Sequence, residues 1–285
     1  MIKLLNPKIV RKIWGGCKLE VMKGISPSRG LEPVGETWEI NDEELPYLAK
    51  FIDTSDELSI QVHPGDEYAK AYENSLGKTE CWIILEAAPK AGIYLGLKPG
   101  ITKTHLEKAL VEGLAINELL NFYEVSAGDF FFVPAGSIHA IGKDITLAEV
   151  QQNSGITYRV WDWMRLDDLG KSRELHVEKS LDVINFESSA NQLDYFHFKK
   201  NLFQSPGIKE LCSHPNFHLF LLNMSAGEKL NPSLIDNNRP CSVLNLAGKI
   251  RVNQQEISSY EAATFYDEGQ LHFEAIEDGS LLLIL

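Results

Sequence analysis

The chain alternates hydrophobic and polar residues through many short segments, a pattern typical of β-strands. Segments 47–53, 58–63 and 145–152 are among those that alternate in this way, and a period of two residues predicts a strand with one buried face. Pro-Gly pairs at 64–65 and 99–100 mark turns between such segments. Many short strands with few helices favour a β-sandwich or β-barrel over alternating strand–helix units.

Helical spacing interrupts this pattern in three places. The segment DEYAKAYENSLG, which follows the strand at 58–63, predicts a helix closed by Gly77. A second helix is predicted over THLEKALVEG, where Thr102 or Thr104 can serve as the N-cap, and AINELLNFY predicts another short helix after it. The predicted helices therefore accompany the first group of strands.

The strand-like segments fall into two groups. The segment ESSANQLD is polar and aperiodic, which predicts a linker. Beyond it come segments such as FHLFLLNM and SLLLIL, and LAGKIRV with EAATFY repeats the rhythm of VSAGDFFFVPAG in the first group. We therefore predict a mainly β fold of two tandem β-barrels, residues 1–190 and 191–285, with short helices inserted in and around the first.

The composition narrows the function classes. The 285 residues are 44% hydrophobic and 24% charged, near the averages for a globular protein, and the formal net charge is −13. So acidic a chain disfavours binding to nucleic acid or anionic membranes, because phosphate backbones require a basic footprint. The N-terminal segment lacks the apolar stretch of a signal peptide, and no run approaches the length of a membrane span. These features predict a soluble cytoplasmic protein.

A candidate metal site lies in three segments of the first group of strands. Gln61 and His63 are two residues apart and project from the same strand face. Lys78 and Glu80 likewise share a face of the next strand, and His139 follows a Pro-Ala-Gly bend. Two imidazoles and a carboxylate, with an amide as a weak fourth ligand, suit zinc with positions open to water or substrate. A single such histidine is more often a hydrogen-bonded core residue, and spacing alone does not bring the segments together.

Six motifs occur in one order along the first two thirds of the chain. They are GETWEI, LSIQVHPGDEYA, LGKTECWIIL, VPAGSIHAI, EVQQNSGITYRVWDWMR and RELHVEKSLDV. In these motifs the chain resembles the type I phosphomannose isomerases, also called mannose-6-phosphate isomerases, in their short bacterial and archaeal branch. The resemblance implies two cupin (jelly-roll) domains and one zinc ion per chain in the first. By motif, the zinc ligands fall on Gln61, His63, Glu80 and His139.

The resemblance also implies a reaction and its residues. The reaction is the interconversion of mannose 6-phosphate and fructose 6-phosphate through an enediol(ate). Arg159 matches the catalytic arginine of the family, and Lys78 matches an active-site lysine beside the metal. Glu149 is the matching acidic residue, either the general base or an ion-pair partner of Arg159 or Lys78. Ser59 and Arg165 stand at the positions of the phosphate site.

Two other functions stay open at this point. One is a related cupin isomerase or epimerase for another sugar or sugar phosphate, because cupin pockets change substrate through their loops while keeping the metal. The other is a non-catalytic sugar-binding cupin, against which the six residues of the metal site and its catalytic neighbours argue. The expected partner is a small sugar phosphate, with no nucleic acid or membrane, and both a monomer and a homodimer remain open.

Overall fold

The computed structural model describes residues 2–26, 30–40, 42–166, 170–232, 240–266 and 270–285. The strands are β1 Ile2–Leu4, β2 Lys8–Gly16, β3 Val34–Ile40, β4 Tyr47–Asp53, β5 Ile60–Val62, β6 Glu80–Ala87, β7 Gly92–Leu97, β8 Leu120–Glu124, β9 Phe130–Val133, β10 His139–Ile141, β11 Ile145–Gln152, β12 Tyr158–Trp161, β13 Gly207–His214, β14 Phe217–Met224, β15 Lys229–Leu230, β16 Cys241–Ala247, β17 Ile250–Val252, β18 Gln255–Ile257, β19 Ala262–Phe265, β20 Phe273–Ala275 and β21 Gly279–Ile284. The α-helices are α1 Lys18–Met22, α2 Asp66–Glu73, α3 Lys103–Val111 and α4 Val177–Val183. Short 3₁₀ helices are Ile116–Leu119, Ser188–Asn191, Leu193–Phe196 and Leu202–Gln204.

Four sheets form two jelly rolls. In the first, the six-stranded sheet β2-β3-β4-β11-β6-β9 faces the five-stranded sheet β12-β5-β10-β7-β8. In the second, the six-stranded sheet β1-β19-β16-β21-β14-β13 faces the four-stranded sheet β15-β20-β17-β18. The prediction of a mainly β chain with two tandem cupin folds and short helices around the first is confirmed.

The two jelly rolls share a core. The outer face of the first six-stranded sheet, including Phe51 and Ile83, packs against Leu219 and Leu282 of the second. On the far side of the first jelly roll, α3 and α4 cover the five-stranded sheet. The N-terminal strand β1 leaves the first jelly roll altogether and pairs with β19, so residues 2–4 extend a sheet of the second. Because both faces of the first six-stranded sheet are covered, every residue of its central strands β4 and β11 is buried.

Several predicted elements have different limits in the structure. Helix α2 ends at Glu73 and is capped by Asn74, which takes the left-handed conformation at a φ of 51°, so Gly77 does not close it. Thr102 and not Thr104 caps α3, through a capping box with His105. The segment AINELLNFY forms the 3₁₀ helix Ile116–Leu119 and then β8, so only its first half is helical. The short apolar spacing there is compatible with either element, and pairing with β7 selects the strand.

The predicted linker is folded. Its residues form two 3₁₀ turns, in which Asn191 and Phe196 are buried. The Asn191 side chain accepts a hydrogen bond from the backbone of Leu97 and donates to the carbonyls of Asn185 and Glu187. In the sequence such a polar residue is indistinguishable from one in a linker, because the backbone group that it bonds in the adjacent sheet is far away in the chain. No described helix is long and apolar enough to cross a membrane.

Candidate metal centre

The candidate metal ligands come from both sheets of the first jelly roll. Gln61 lies on β5, and His63 is the first residue after that strand. Gln61 is directly opposite His139 of the neighbouring strand β10. Glu80 begins β6 in the facing sheet. The donor atoms of His63, Glu80 and His139 lie within 4.8 Å of one another, and all three side chains are buried. The segments that sequence spacing could not join therefore meet here.

Backbone carbonyls fix the orientation of both imidazoles. Nδ1 of His63 lies 2.8 Å from the carbonyl oxygen of Ile156, and Nδ1 of His139 lies 2.9 Å from that of Ser137. A carbonyl can only accept a hydrogen bond, so each Nδ1 carries the proton and each Nε2 presents its lone pair. Both Nε2 atoms point at Glu80, at distances of 3.4 Å from His63 to Oε2 and 3.3 Å from His139 to Oε1. Such carbonyl partners are typical supports of metal-binding histidines.

The donor set fits a zinc ion. Donors about 2.1 Å from a tetrahedral zinc lie about 3.4 Å apart, which agrees with the two distances between Glu80 and the histidines. The Gln61 amide lies on the same side, with its nitrogen 3.3 Å from Nε2 of His139. Rotation of that amide by a half turn would direct its oxygen to the same place.

The protonation states also suit a metal. Burial lowers the pKa of both imidazoles, that of His63 to about 3, and the Lys78 charge acts in the same direction. Burial opposes ionisation of Glu80, but the Lys78 ammonium beside it holds the pKa of Glu80 well below its usual range. At neutral pH the group therefore offers two neutral imidazoles and one carboxylate, the forms that bind metal.

Charges of alternating sign run from this centre across the inner face of the six-stranded sheet. In order of contact they are Glu80, Lys78, Glu149, Lys50, Glu36 and Lys12. The two contacts of Lys50 are 3.0 Å to Oε1 of Glu149 and 3.4 Å to Oε2 of Glu36. Strand register produces this order, because Lys50 on β4 is directly opposite Glu149 on β11. Each buried charge in the row has an opposite charge beside it, as burial requires.

Glu149 differs from the other carboxylates of the row. Burial and the nearby Glu80 raise its pKa above the usual value, although Lys50 and Lys78 act against this. Its Oε2 accepts a hydrogen bond from the Trp82 indole at 3.1 Å, and its Oε1 lies 3.6 Å from Nζ of Lys78. Glu149 is thus an ion-pair partner of Lys78, one of the two roles expected for it, and its raised pKa suits an exchange of protons.

A cavity of about 550 Å³ opens over the centre. Ser59, Gln61, Lys78, Glu149 and Arg159 all line it, so five of the nine predicted site residues face one space. The three buried metal-ligand candidates lie directly behind Gln61 and Lys78, which contact them. A ligand in the cavity therefore reaches the centre past these two side chains.

Arg165, the remaining predicted residue, is not among the side chains that line the cavity. Its guanidinium donates to Asp162, to Asp56 and to the carbonyl of Glu57. Arg173 lines the cavity in its vicinity and binds the same Asp162 through Nε at 2.6 Å and through Nη2. Asp162 thus joins a cavity arginine to one that lies outside the cavity wall.

The polar residues of the cavity that sequence reasoning missed include Lys50, Gln151 and Arg173. Lys50 did carry a signal, because a lysine between Leu48 and Ile52 on one face of an apolar strand needs a buried partner. Gln151 lines the cavity, and its buried Oε1 accepts no hydrogen bond from any described residue. Arg173 stands in a segment without periodicity, so its position depends on tertiary contacts alone.

Comparisons with known proteins agree with this description. The family model "Quercetinase C-terminal cupin domain" matches residues 210–284. The mannose-6-phosphate isomerase of Streptococcus mutans is 39% identical over 222 residues, which are 66% of this chain and 69% of that protein. Mannose-6-phosphate isomerase ManA of Bacillus subtilis is 44% identical over 164 residues, 54% of this chain, and the match spans about half of that protein, 51%.

The similarity in structure extends over the whole chain. The crystal structure of a mannose 6-phosphate isomerase from Bacillus subtilis superimposes with a TM-score of 0.78 at 24% identity, covering 99% of this chain and 98% of that chain. At this identity the match establishes the fold. The sequence match to the Streptococcus mutans protein, more than one third identical over more than two thirds of its length, establishes the family. The chain belongs to the mannose-6-phosphate isomerase family.

Proposed function

We propose that the chain is a zinc-dependent aldose–ketose isomerase that interconverts mannose 6-phosphate and fructose 6-phosphate. The observation that carries this proposal is the buried group of His63, Glu80 and His139 behind a cavity lined by Glu149 and Lys78. The relatives named mannose-6-phosphate isomerase supply the substrate. A structure of the same fold, at 15% identity, is that of a mannose 6-phosphate isomerase bound with zinc and yttrium, which supports the choice of metal.

The metal would be held by His63, Glu80 and His139, with Gln61 as a weaker fourth ligand. When bound, it would orient the oxygens of the open-chain sugar and polarise the carbonyl. The neutral, lone-pair-bearing Nε2 atoms and the ionised Glu80 favour it. The cavity reaches the two side chains that cover this group, Gln61 and Lys78, which suits a catalytic site approached by substrate more than a closed structural one.

Glu149 is the proposed general base. Isomerisation moves one proton between C1 and C2 and back, so the base must hold it briefly and return it. Glu149 lines the cavity, and Trp82 and Lys50 fix its carboxylate. Lys78 lies 3.6 Å from Glu149 and can donate a proton or hydrogen bond to a sugar oxygen on the same side. An ion pair with Lys78 and a role as base are compatible in one carboxylate.

Arg159 is the proposed stabiliser of the enediolate. Arg159 lies on β12, directly opposite Gln61 on β5, so it is one strand away from this candidate metal ligand. The charge of arginine is permanent, and a fixed cation in a partly buried site stabilises an oxygen anion that develops during the reaction. Ser59 lines the same cavity and remains a proposed substrate contact.

Coupled assays on the zinc-loaded protein test the function. We expect turnover of mannose 6-phosphate, its loss on chelation, and its recovery when zinc is restored. Other aldose 6-phosphates and the free aldoses, assayed in parallel, separate the proposed substrate from those of a related isomerase or epimerase. Faster turnover of another sugar would assign a different substrate. If the protein bound sugar phosphates but turned over none of the sugars, it would be a non-catalytic sugar-binding cupin.

A further inference from the structure

Two guanidinium groups line the cavity, and sequence reasoning assigned a function to only one of them. Arg159 lies beside the metal centre, and Arg173 is held next to it because residues 174–176 run along Arg159. The Arg159 guanidinium donates to the carbonyl of Glu174 at 2.8 Å, and the backbone of Arg159 is bonded twice to His176. The geometry points to Arg173 as the residue that binds the phosphate of the substrate and selects phosphorylated over free sugars. This inference rests on the proposed function.

The charge balance of the cavity favours an anionic group at the arginines. The charged side chains that line it are Lys12, Lys50, Lys78, Arg159 and Arg173 against Glu36 and Glu149. The lysines have the glutamates of the row as partners. In the described part of the chain no carboxylate forms an ion pair with Arg159, and its buried Nε has no acceptor. In a chain of net charge −13, this local excess of positive charge would concentrate a dianion.

Arg173 is better placed than Arg165 for this contact. The described bonds of Arg165 engage it with Asp162, Asp56 and the carbonyl of Glu57, outside the cavity wall. Arg173 gives Nε and Nη2 to Asp162, and no described residue accepts from its Nη1. Asp162 is shared between the two arginines, and Asp56 is a second partner of Arg165. Arg165 and Asp162 therefore act as positioning residues that fix the plane of the Arg173 guanidinium, whose Nη1 keeps its N–H groups for a phosphate oxygen.

The distance from the metal centre to the two arginines also matches the length of the substrate. His139, Gln61 and Arg159 are register partners on three adjacent strands, β10, β5 and β12. Adjacent strands are about 4.8 Å apart, so Arg159 lies about 10 Å from His139 along the sheet. Arg173 borders Arg159 through the bond to Glu174. A hexose 6-phosphate carries its reacting carbons and its phosphate at opposite ends, so it can span from the metal centre to this pair of arginines.

The test compares Arg173→Gln with the wild type in the zinc-loaded full-length protein. Affinities for mannose 6-phosphate, mannose and inorganic phosphate are measured by tryptophan fluorescence, because Trp14 and Trp38 line the cavity. We expect binding of mannose 6-phosphate and of inorganic phosphate to weaken roughly ten- to a hundredfold, the effect of losing a charge-assisted contact. Binding of mannose should stay within about twofold, because the bonds lost go to the phosphate. Arg251→Gln, which removes the same charge from the second jelly roll, is the matched control and should change neither.

Equal losses for mannose and mannose 6-phosphate would overturn the inference, because Arg173 would then only support the fold of the cavity. Unchanged binding of both ligands would also overturn the inference, and Ser59 or Arg165 would then be the candidate phosphate contact. If Arg173→Gln does not fold, Arg173→Lys keeps the charge beside Asp162 but loses the planar fork, and a selective loss for the phosphorylated sugar is again expected. Wild-type turnover is measured separately. If the wild type bound mannose 6-phosphate without isomerising it, the proposed function would be contradicted. The affinities of wild type and Arg173→Gln would still test the phosphate contact.

Discussion

The two jelly rolls share an architecture and differ in what fills it. The space between the sheets of the second jelly roll holds a continuous apolar cluster. Its members include Phe220, Leu222, Val243, Ile250, Val252, Ile257, Phe265, Phe273, Leu281 and Leu283. The corresponding space in the first jelly roll holds the six charges of the row, which include the candidate ligand Glu80. The other two candidate ligands, His63 and His139, and an apolar half lie beside them. One fold therefore accommodates either an apolar core or a charged cavity, according to the side chains that lie between its sheets.

The difference has a cost in stability. Buried ion pairs contribute less than apolar residues of similar volume, so the charged face is not the most stable filling for the first jelly roll. The second jelly roll packs its six-stranded sheet on the back of that charged sheet, where Phe51, Ala148, Leu221 and Leu244 are all buried in one cluster. We infer that this shared apolar layer offsets part of the destabilisation of the cavity.

The largest effect should follow removal of a metal ligand from the first jelly roll. His63→Ala, Glu80→Ala and His139→Ala should each reduce zinc from close to one per chain to near zero and abolish isomerisation, because each removes one of only three strong ligands. Gln61→Ala should weaken zinc binding less, because a neutral amide is a poor ligand. Elemental analysis and the coupled assay measure both quantities on the same samples.

The second jelly roll provides the matched control. In His218→Ala a histidine is lost that contacts Glu210, in a region where the described residues contain no metal-ligand group. Zinc content and turnover should both stay at wild-type values. If His218→Ala lost zinc, or if His139→Ala kept it, the assignment of a single metal centre to the first jelly roll would be contradicted.

The next effect concerns turnover at constant zinc. Arg159→Ala should lower kcat on the order of 10²–10³-fold with a smaller change in KM, because the guanidinium acts on charge that develops in the transition state. Arg159→Lys should recover part of the rate, since lysine keeps the charge without the planar fork. Zinc content should be unchanged in both variants. A raised KM with wild-type kcat would instead assign Arg159 to ground-state binding of the substrate.

How much of this site the sequence predicts depends on how local each signal is. Alternation over LSIQVH predicts that Gln61 and His63 share a face, and in the structure both side chains lie against His139. That Glu80 and His139 join them came only from the resemblance, because strand register is not encoded in any one segment. The pairing of Lys50 with Glu149 joins residues 99 positions apart in the sequence. The pairing of β1 with β19 joins residues that are even further apart in the sequence. Local periodicity therefore predicts the elements and their faces, and tertiary pairing decides which faces meet.

The third prediction uses acid to separate the two jelly rolls. Burial opposes ionisation of Glu36, but Lys50, Lys12 and the Trp38 indole outweigh it and lower its pKa from 4.5 to about 2. A carboxylate whose pKa is lower in the folded state stabilises the fold above its unfolded pKa, and this contribution is lost as pH falls from about 4.5 to about 2. The loss is of the order of 3 kcal/mol. Urea unfolding of wild type and Glu36→Gln across this range should converge as pH falls. Ile250→Val removes no titratable group from the second jelly roll and should run parallel to wild type.

The smallest effect should distinguish the two interiors by one methyl group. Ile250 is fully buried in the apolar cluster of the second jelly roll, and Ile52 is almost fully buried but lines the cavity of the first. Ile250→Val and Ile52→Val should each lower the free energy of unfolding by about 1 kcal/mol, with a fall in Tm of about 2–4 °C. Only Ile52→Val should also change KM for mannose 6-phosphate, because its missing methyl enlarges the space that holds the substrate. Scanning calorimetry and steady-state kinetics on both variants measure the two effects separately. If Ile250→Val altered KM as strongly as Ile52→Val, the shared core would transmit packing changes to the cavity, and the second jelly roll would be part of the active site's support and not only of the fold's.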